Sequence, residues 1–315
     1  MASNLDIGRT ISNGVNELLY KNKLNTVENS DFSKLWCDVV MLPAYRIEYL
    51  IQISLHTQNG YNRDEAVIYG FLMRIFRNLC LQRRLVCARL MTSELAAFWE
   101  RILLEDSINL QYFILNHKSS KLAEFRLHSL RPEAFFEEII NDDIANNNGE
   151  QSPWQKRLLD SIYNTYAEAG VTYEEVRKSK VRIPSISDKF RDTGNKRLYD
   201  IGYRTKCHNV HGDWVDLTKN YLVYNTDSNS FSPNFCEYEA DLRQLNPVLI
   251  ICCDTIIKFI EGFSGHGISQ SLCKEISIDQ NLIATFDQMH DNYLNKRDLL
   301  NEIDLSLFDN AYIDI

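Results

Sequence analysis

The stretch SELAAFWERILLEDSINLQYFILN, residues 93–116, decides how the chain is read. It holds neither glycine nor proline, and Leu95, Phe98, Trp99, Ile102, Leu103 and Leu110 recur at helical spacing. That period predicts one long helix with a broad apolar stripe turned toward a core. Arg101 and Glu105 stand one turn apart beside the stripe, on a shared face at the edge of the core. Such a helix needs neighbours to cover it, and the sequence on both sides supplies them.

Upstream, Asn62 and Glu65 form a capping-box pattern that opens a helix from Arg63 to about Met91. Asp31 to His56 reads as helix restarted at Pro43, since proline is tolerated in a first turn. Leu5 to Leu24 reads as a short peripheral helix broken at Gly8 and Gly14. Downstream, Ser120 to about Ile140 is a third long helix, and NDDIANNNGEQS (141–152) is almost free of apolar residues, as a linker would be. Pro153–Ala169 and Tyr173–Ser179 look helical, VRIPSIS (181–187) extended, and Ser187 or Asp188 can cap a helix ending near Val210, with Gly212 as terminator. Tyr221–Phe235 alternates apolar and polar residues around Asn225–Ser230, the pattern of a hairpin. Two helices, Glu237–Gly262 and Asp279 to about Glu302, close the chain.

The expected fold is therefore all-α, a multi-helix bundle with one small β-hairpin near 221–235. Its expected parts are a helical N-terminal segment (1–60), a helical subdomain (61–145), a linker (146–152), a second helical subdomain (153–302) and an acidic tail (303–315).

Composition agrees. Hydrophobic residues make up 44% and aromatics 11% of 315 residues, enough for a sizeable core. Only 12 Gly and 6 Pro punctuate the chain, as when few loops join long helices. The eight cysteines show no CxxC pair, which argues against a disulfide framework or a zinc ribbon. Without a basic-plus-apolar leader pattern at the N-terminus, the expected setting is a reducing cytoplasm. Val248–Ile260, interrupted by Asp254 and Lys258, is too short and too polar to cross a bilayer and reads as a core helix, so no membrane is expected as partner. No P-loop, dinucleotide fingerprint or nucleophile elbow occurs, and no cofactor is expected.

A formal charge of −9 argues against indiscriminate coating of nucleic acid. The charge is unevenly spread: Arg177–Lys206 carries ten Lys/Arg against three acids, and Glu275–Asp314 carries nine acids. A basic run is either a solvated face or an anion-binding surface; the acidic C-terminal region could meet a partner protein.

Within the basic run lies YDIGYRTKCHNVHGDW (199–214). Arg204, His208 and His211 stand at i, i+4 and i+7, so all three face one groove of a helix. Arginine can fork onto a phosphate and histidine titrates near neutrality, the parts that phosphodiester cleavage without a metal needs. The competing reading is a helix C-terminus whose cations complement its dipole. His208, His211 and Asp213 could also gather a metal, although their spacing fits no zinc signature, and no metal is expected.

RILLEDSINLQYFILNH (101–117) followed by YRTKCHNVHGDW (203–214) resembles an uncharacterised bacterial all-helical family that pairs an R-x3-E helix with a later Tyr-rich helix ending in His-Gly. The likeness spans roughly residues 60–260. The second segment also resembles the ribonuclease motif of the HEPN superfamily, an Arg followed after four to six residues by a His; here six residues stand between Arg204 and His211, and Thr205 stands where Asn, Asp or His is usual. That resemblance implies a homodimer that cleaves RNA without a metal, in a defence or toxin–antitoxin setting. Arg204 would stabilise the transition state, His211 would act as general acid or base, and Glu105 would orient one of them. Arg101, Asn109, Arg197, Tyr203, Lys206 and His208 are the residues expected to touch substrate. The alternative is a non-catalytic interaction or nucleotide-sensing module in which Arg101, Glu105 and the histidines form a structural network.

Overall fold

In a computed structural model, residues 4–21, 27–54, 60–236, 238–263 and 269–296 are described. Among them α5 (Ser93–Leu115) is the axis. From Leu103 to Ile114 it is buried nearly all round, because α4 (Arg63–Cys87), α14 (Asn246–Gly262), α10 (Ile186–Asp192) and α12 (Arg204–His211) each lie against it. The stripe read from the sequence is corrected at its start. Leu95 and Phe98 are 39% and 43% exposed, while Ala96 and Ala97 turn inward.

Around α5, the helices α1 (Asn4–Tyr20), α2 (Asn29–Val39), α3 (Met41–Ser54) and α15 (Ser269–Lys296) complete the main core. Glycine does not break α1: a Cβ at Gly14 would stand 3.0 Å from Leu35 Cδ1, so the glycine lets α1 close on α2. Pro43 lies in the first turn of α3, and the Asn62/Glu65 capping box opens α4 as the sequence predicts. Trp36, fully buried, donates from Nε1 to Asn246 Oδ1 at 3.0 Å and ties α2 to α14. Arg46 on α3 meets Asp279 and Glu275 on α15 at 2.7 and 2.6 Å.

A second cluster gathers Leu130, Ile140, Leu159, Ile162, Tyr166 and Val176 from α7 (Arg131–Asn146), α8 (Pro153–Ala169), α9 (Tyr173–Lys178) and the turn before α7. The polar stretch at 146–152 thus joins two helices that share one core. The helix expected over 120–140 is split into α6 (Lys121–Ser129) and α7, with Pro132 in the first turn of α7, where its missing N–H is not needed. The first half of the polar stretch 141–152 is helical, since α7 continues to Asn146.

Near the C-terminal end, α14 begins at Asn246 and not at Glu237. Residues 238–240 instead pair with the α4–α5 connection: Ser93 N–H donates to Tyr238 O and Ala240 N–H to Met91 O, at 3.0 and 2.9 Å. Helix α15 starts ten residues earlier than expected, because Leu272 and Ile276 already lie on its buried face. The hairpin is present as β1 (Leu222–Asn225) and β2 (Ser230–Pro233), antiparallel with Tyr224 opposite Phe231. Among the described residues no helix is long and apolar enough to cross a membrane. The acidic tail at 303–315 lies outside the described residues.

Candidate functional site

Ser185, not Ser187 or Asp188, caps α10: its hydroxyl accepts from Asp188 N–H at 3.2 Å and the Asp188 carboxylate reaches back to Ser185. After a left-handed turn at Gly194 (φ 78°), α11 (Lys196–Leu198) passes through a π-helical turn, Tyr199–Tyr203, into α12. A π turn holds one more residue than an α turn and re-aims the helix beyond it. Here it sets Tyr203 against α5.

Tyr203 is 4% exposed, and its hydroxyl donates to Glu105 Oε1 at 2.5 Å. The same oxygen accepts from Arg101 Nε at 3.0 Å, and the Arg101 guanidinium lies 5.0 Å from the centre of the Tyr203 ring. Burial, and then the Glu105 carboxylate, push the Tyr203 phenol well above its ordinary value. Burial works against the Arg101 cation, but Glu105, Tyr203 and Cys207 together outweigh it and the guanidinium is held more firmly protonated. One turn on, Lys206 Nζ pairs with Glu100 Oε2 at 2.8 Å, both largely covered. Burial raises the Glu100 carboxyl, and Lys206 works against that rise. Arg101, Glu105, Tyr203 and Lys206 therefore form the brace that fastens α12 to α5.

Arg204, His208 and His211 lie on the other side of α12. His208 Nδ1 is 2.5 Å from Asp213 Oδ2, beyond the left-handed Gly212 (φ 60°) that ends the helix. The second oxygen of Asp213 accepts from Val215 and Asp216 N–H at 3.1 and 3.3 Å and so caps α13 (Trp214–Asp216). The His208 side chain is 41% exposed, and its hydrogen bond, with the two backbone N–H groups, holds the Asp213 carboxyl below its ordinary value. Arg204 and His211 are exposed and carry no side-chain hydrogen bond or ion pair among the described residues. By the helical rise, their Cα atoms are about 10.5 Å apart along the axis. His208 stands between them. Glu105 accepts from Arg101 and Tyr203 and from neither of these two.

The basic run separates in the same way. Arg177 pairs with Glu138, Lys178 with Glu174, Arg191 with Asp188 and Lys206 with Glu100. Lys189 is 5% exposed and donates to Asn109 Oδ1 at 2.7 Å, so Asn109 serves a buried cation, whose pKa burial lowers. Lys180, Arg182, Lys196, Arg197 and Arg204 have no ion pair among the described residues. The described residues hold no group of three His, Cys, Asp or Glu side chains placed to bind a metal ion, His208, His211 and Asp213 included.

Two features escape a reading of the sequence. The Asp213–His208 contact crosses Gly212 at a spacing no helical rule supplies, although both residues stand in the quoted motif. Beside it, Trp214, Phe231 and Tyr224 form an exposed row of rings, with centroids 5.3 and 4.9 Å apart. Its signal is the Tyr/Phe alternation of the hairpin, which by itself speaks only of structure.

Fold and site together define an all-helical protein with an Arg/His face braced on its central helix. The model of a family of unknown function (DUF5677) matches residues 65–231, over half of the chain, and the chain belongs to that family. The match runs from α4 through the start of β2, so it takes in both the Arg101/Glu105 helix and the Arg204–His211 helix. No curated protein and no solved structure matches the chain.

Proposed function

We propose that the exposed face of α12 binds RNA and cleaves its phosphodiester backbone by proton transfer and electrostatic clamping. The observation that carries this reading is an imidazole oriented by a carboxylate, His208 Nδ1 on Asp213 at 2.5 Å, on the same solvent face as Arg204 and His211. A carboxylate on Nδ1 fixes the proton there and leaves Nε2 free to accept one. His208 Nε2 takes the proton of the ribose 2′-hydroxyl as its oxygen attacks phosphorus. His211, protonated, returns a proton to the departing 5′-oxygen, and the product is a cyclic phosphate. Arg204 meets the charge that builds on the non-bridging oxygens. Arg197 and Lys196 extend the positive surface along the strand, and the Trp214/Phe231/Tyr224 row offers ring faces to unpaired bases. The HEPN likeness of Arg204 and His211 points the same way. Glu105 and Arg101 act at one remove, by holding Tyr203 and with it the start of α12.

The test uses total RNA in EDTA with wild-type protein and the Arg204→Ala, His208→Ala and His211→Ala variants, each checked for native circular dichroism. The expected result is cleavage that each substitution lowers by about a hundredfold or more, the scale of a lost acid–base or clamping group. Intact RNA beside a nuclease control, with binding that weakens steeply in salt, would reduce the reading to RNA binding. No cleavage and no binding would end it.

A further inference from the structure

Apart from the α12 face, α2 and the last turn of α4 flank a cleft of about 590 Å³, lined among others by Ser33, Lys34, Asp38, Arg83 and Arg89. That volume suits a small ligand. Cys37 and Cys87 both line it, and their Sγ atoms lie 2.7 Å apart, inside van der Waals contact, although both are free thiols. Cys87 is exposed; Cys37, 7% exposed, lies behind it. Arg83 Nε donates to the Cys37 carbonyl at 2.9 Å, which brings a cation to the pair. The two sulfurs are fifty positions apart in sequence and sit on different helices. Their meeting is therefore a product of the tertiary fold.

We propose that Cys37 and Cys87 form a reversible dithiol site that exchanges with low-molecular-mass disulfides, Cys87 attacking first and Cys37 resolving. The order comes from access, because a disulfide entering the cleft meets Cys87 before Cys37. Burial, and then the adjoining Cys87 thiol, push the Cys37 thiol up to about 12, which also keeps it from leading, while Arg83 draws it down. In the first step Cys87 gives its proton to solvent and its thiolate attacks one sulfur of the small disulfide. That S–S bond breaks, and the other half leaves as a thiolate that takes up a proton. In the second, Cys37 gives its proton to solvent and attacks Cys87 Sγ, which expels the second small thiol. Two protein thiols are oxidised to one disulfide, and one small disulfide is reduced to two thiols. The bond would lock α2 to the end of α4, the helix that leads directly into α5.

The full chain is incubated with oxidised glutathione, alkylated, digested and mapped by mass. The expected result is a peptide pair linked through Cys37 and Cys87, an intact mass lower by two hydrogens, and reversal by dithiothreitol. Cys37→Ser should accumulate a glutathione adduct on Cys87, and Cys87→Ser should leave Cys37 unmodified over the same time. Adducts on exposed Cys236 alone, with Cys37 and Cys87 still alkylated, would overturn the site. An adduct forming equally fast on Cys37 in Cys87→Ser would overturn the order of attack. The linked peptide is read on wild-type protein, so a variant that fails to fold leaves the main test intact.

Discussion

Arg46 offers a measurable consequence of how α3 is fastened to α15. Its side chain is 5% exposed and meets Asp279, 1% exposed, through Nε at 2.7 Å. A second contact runs from Nη2 to the other Asp279 oxygen at 3.3 Å, and Nη1 reaches Glu275 at 2.6 Å. Arg46→Ala removes all three donors and leaves Asp279 sealed without a cation. Stranding one partner of a buried pair costs about 3–5 kcal/mol. The sign of the pH dependence is set by Asp279, whose pKa burial already raises even though Arg46 works against the rise. Without Arg46 the folded-state value climbs further above the unfolded one, near 3.9. The folded variant then binds more protons than the unfolded chain, so its stability falls as pH rises from about 4 through the folded value. The deficit relative to wild type should be largest at pH 8 and shrink toward pH 5. Urea unfolding followed by circular dichroism at both values measures it, and Asp279→Asn added to Arg46→Ala should recover part of the loss. A single-variant loss under about 1 kcal/mol at pH 8, or an equal loss at both pH values, would refute the argument.

Tyr203→Phe removes a hydrogen bond to a carboxylate and should cost about 1.5–3 kcal/mol; because Glu105 is the shared partner, Tyr203→Phe with Glu105→Gln should lose clearly less than the sum of the two, read by a double-mutant cycle. The raised Tyr203 phenol keeps its proton in the folded state, so wild type should lose stability as pH climbs above about 10, and Tyr203→Phe should lose less over that range. Asp213→Asn releases His208 Nδ1 while its side-chain oxygen can still cap α13; cleavage should fall by at least about tenfold with little change in melting temperature, and equal activity would remove Asp213 from the site. Leu159→Ala, in the second cluster, should cost about 2–5 kcal/mol, with hydrogen exchange speeding in α7–α9 before α5, and uniform loss of protection would show one cooperative unit. Gln82 is fully buried and its amide has no hydrogen-bond partner among the described residues, so Gln82→Leu should stabilise the chain by about 1–3 kcal/mol in urea unfolding.

What could be read from the sequence was local. The Asn62/Glu65 capping box, Pro43 in a first turn, Gly212 as terminator and the alternation in the hairpin each act over a few residues, and each is where the pattern placed it. The errors share a cause, which is contact made from far away. Periodicity gives α5 a face, but it cannot say that four helices cover the C-terminal half while Leu95 and Phe98 stay open. Residues 238–240 look helical until the α4–α5 connection takes their backbone N–H and C=O groups. The same limit holds for the site. Spacing alone put Arg204, His208 and His211 on one face and Arg101 beside Glu105, and Tyr203 came with the family resemblance. No pattern said that Glu105 would be spent on Tyr203, that Asp213 would fold back onto His208, or that Cys37 would meet Cys87.

The division of labour along α12 bears on how such a face can work. An exposed arginine and two histidines on a short, isolated helix would wander, since eight residues are too few to hold a helix in water. Here the opposite side of the same eight residues is pinned: Lys206 to Glu100, and Tyr203 just before it to Glu105 with Arg101 stacked on the ring. The far end is pinned too, because Asp213 both caps α13 and holds His208. Polar groups that would lose much of their strength in water are kept mostly covered, and those a phosphate would need are left exposed. A surface arranged in this way presents its donors without having to order them on binding, which is what preorganisation requires. The brace therefore contributes through position, and substitutions in it should disturb the geometry of the exposed face before they alter its charge.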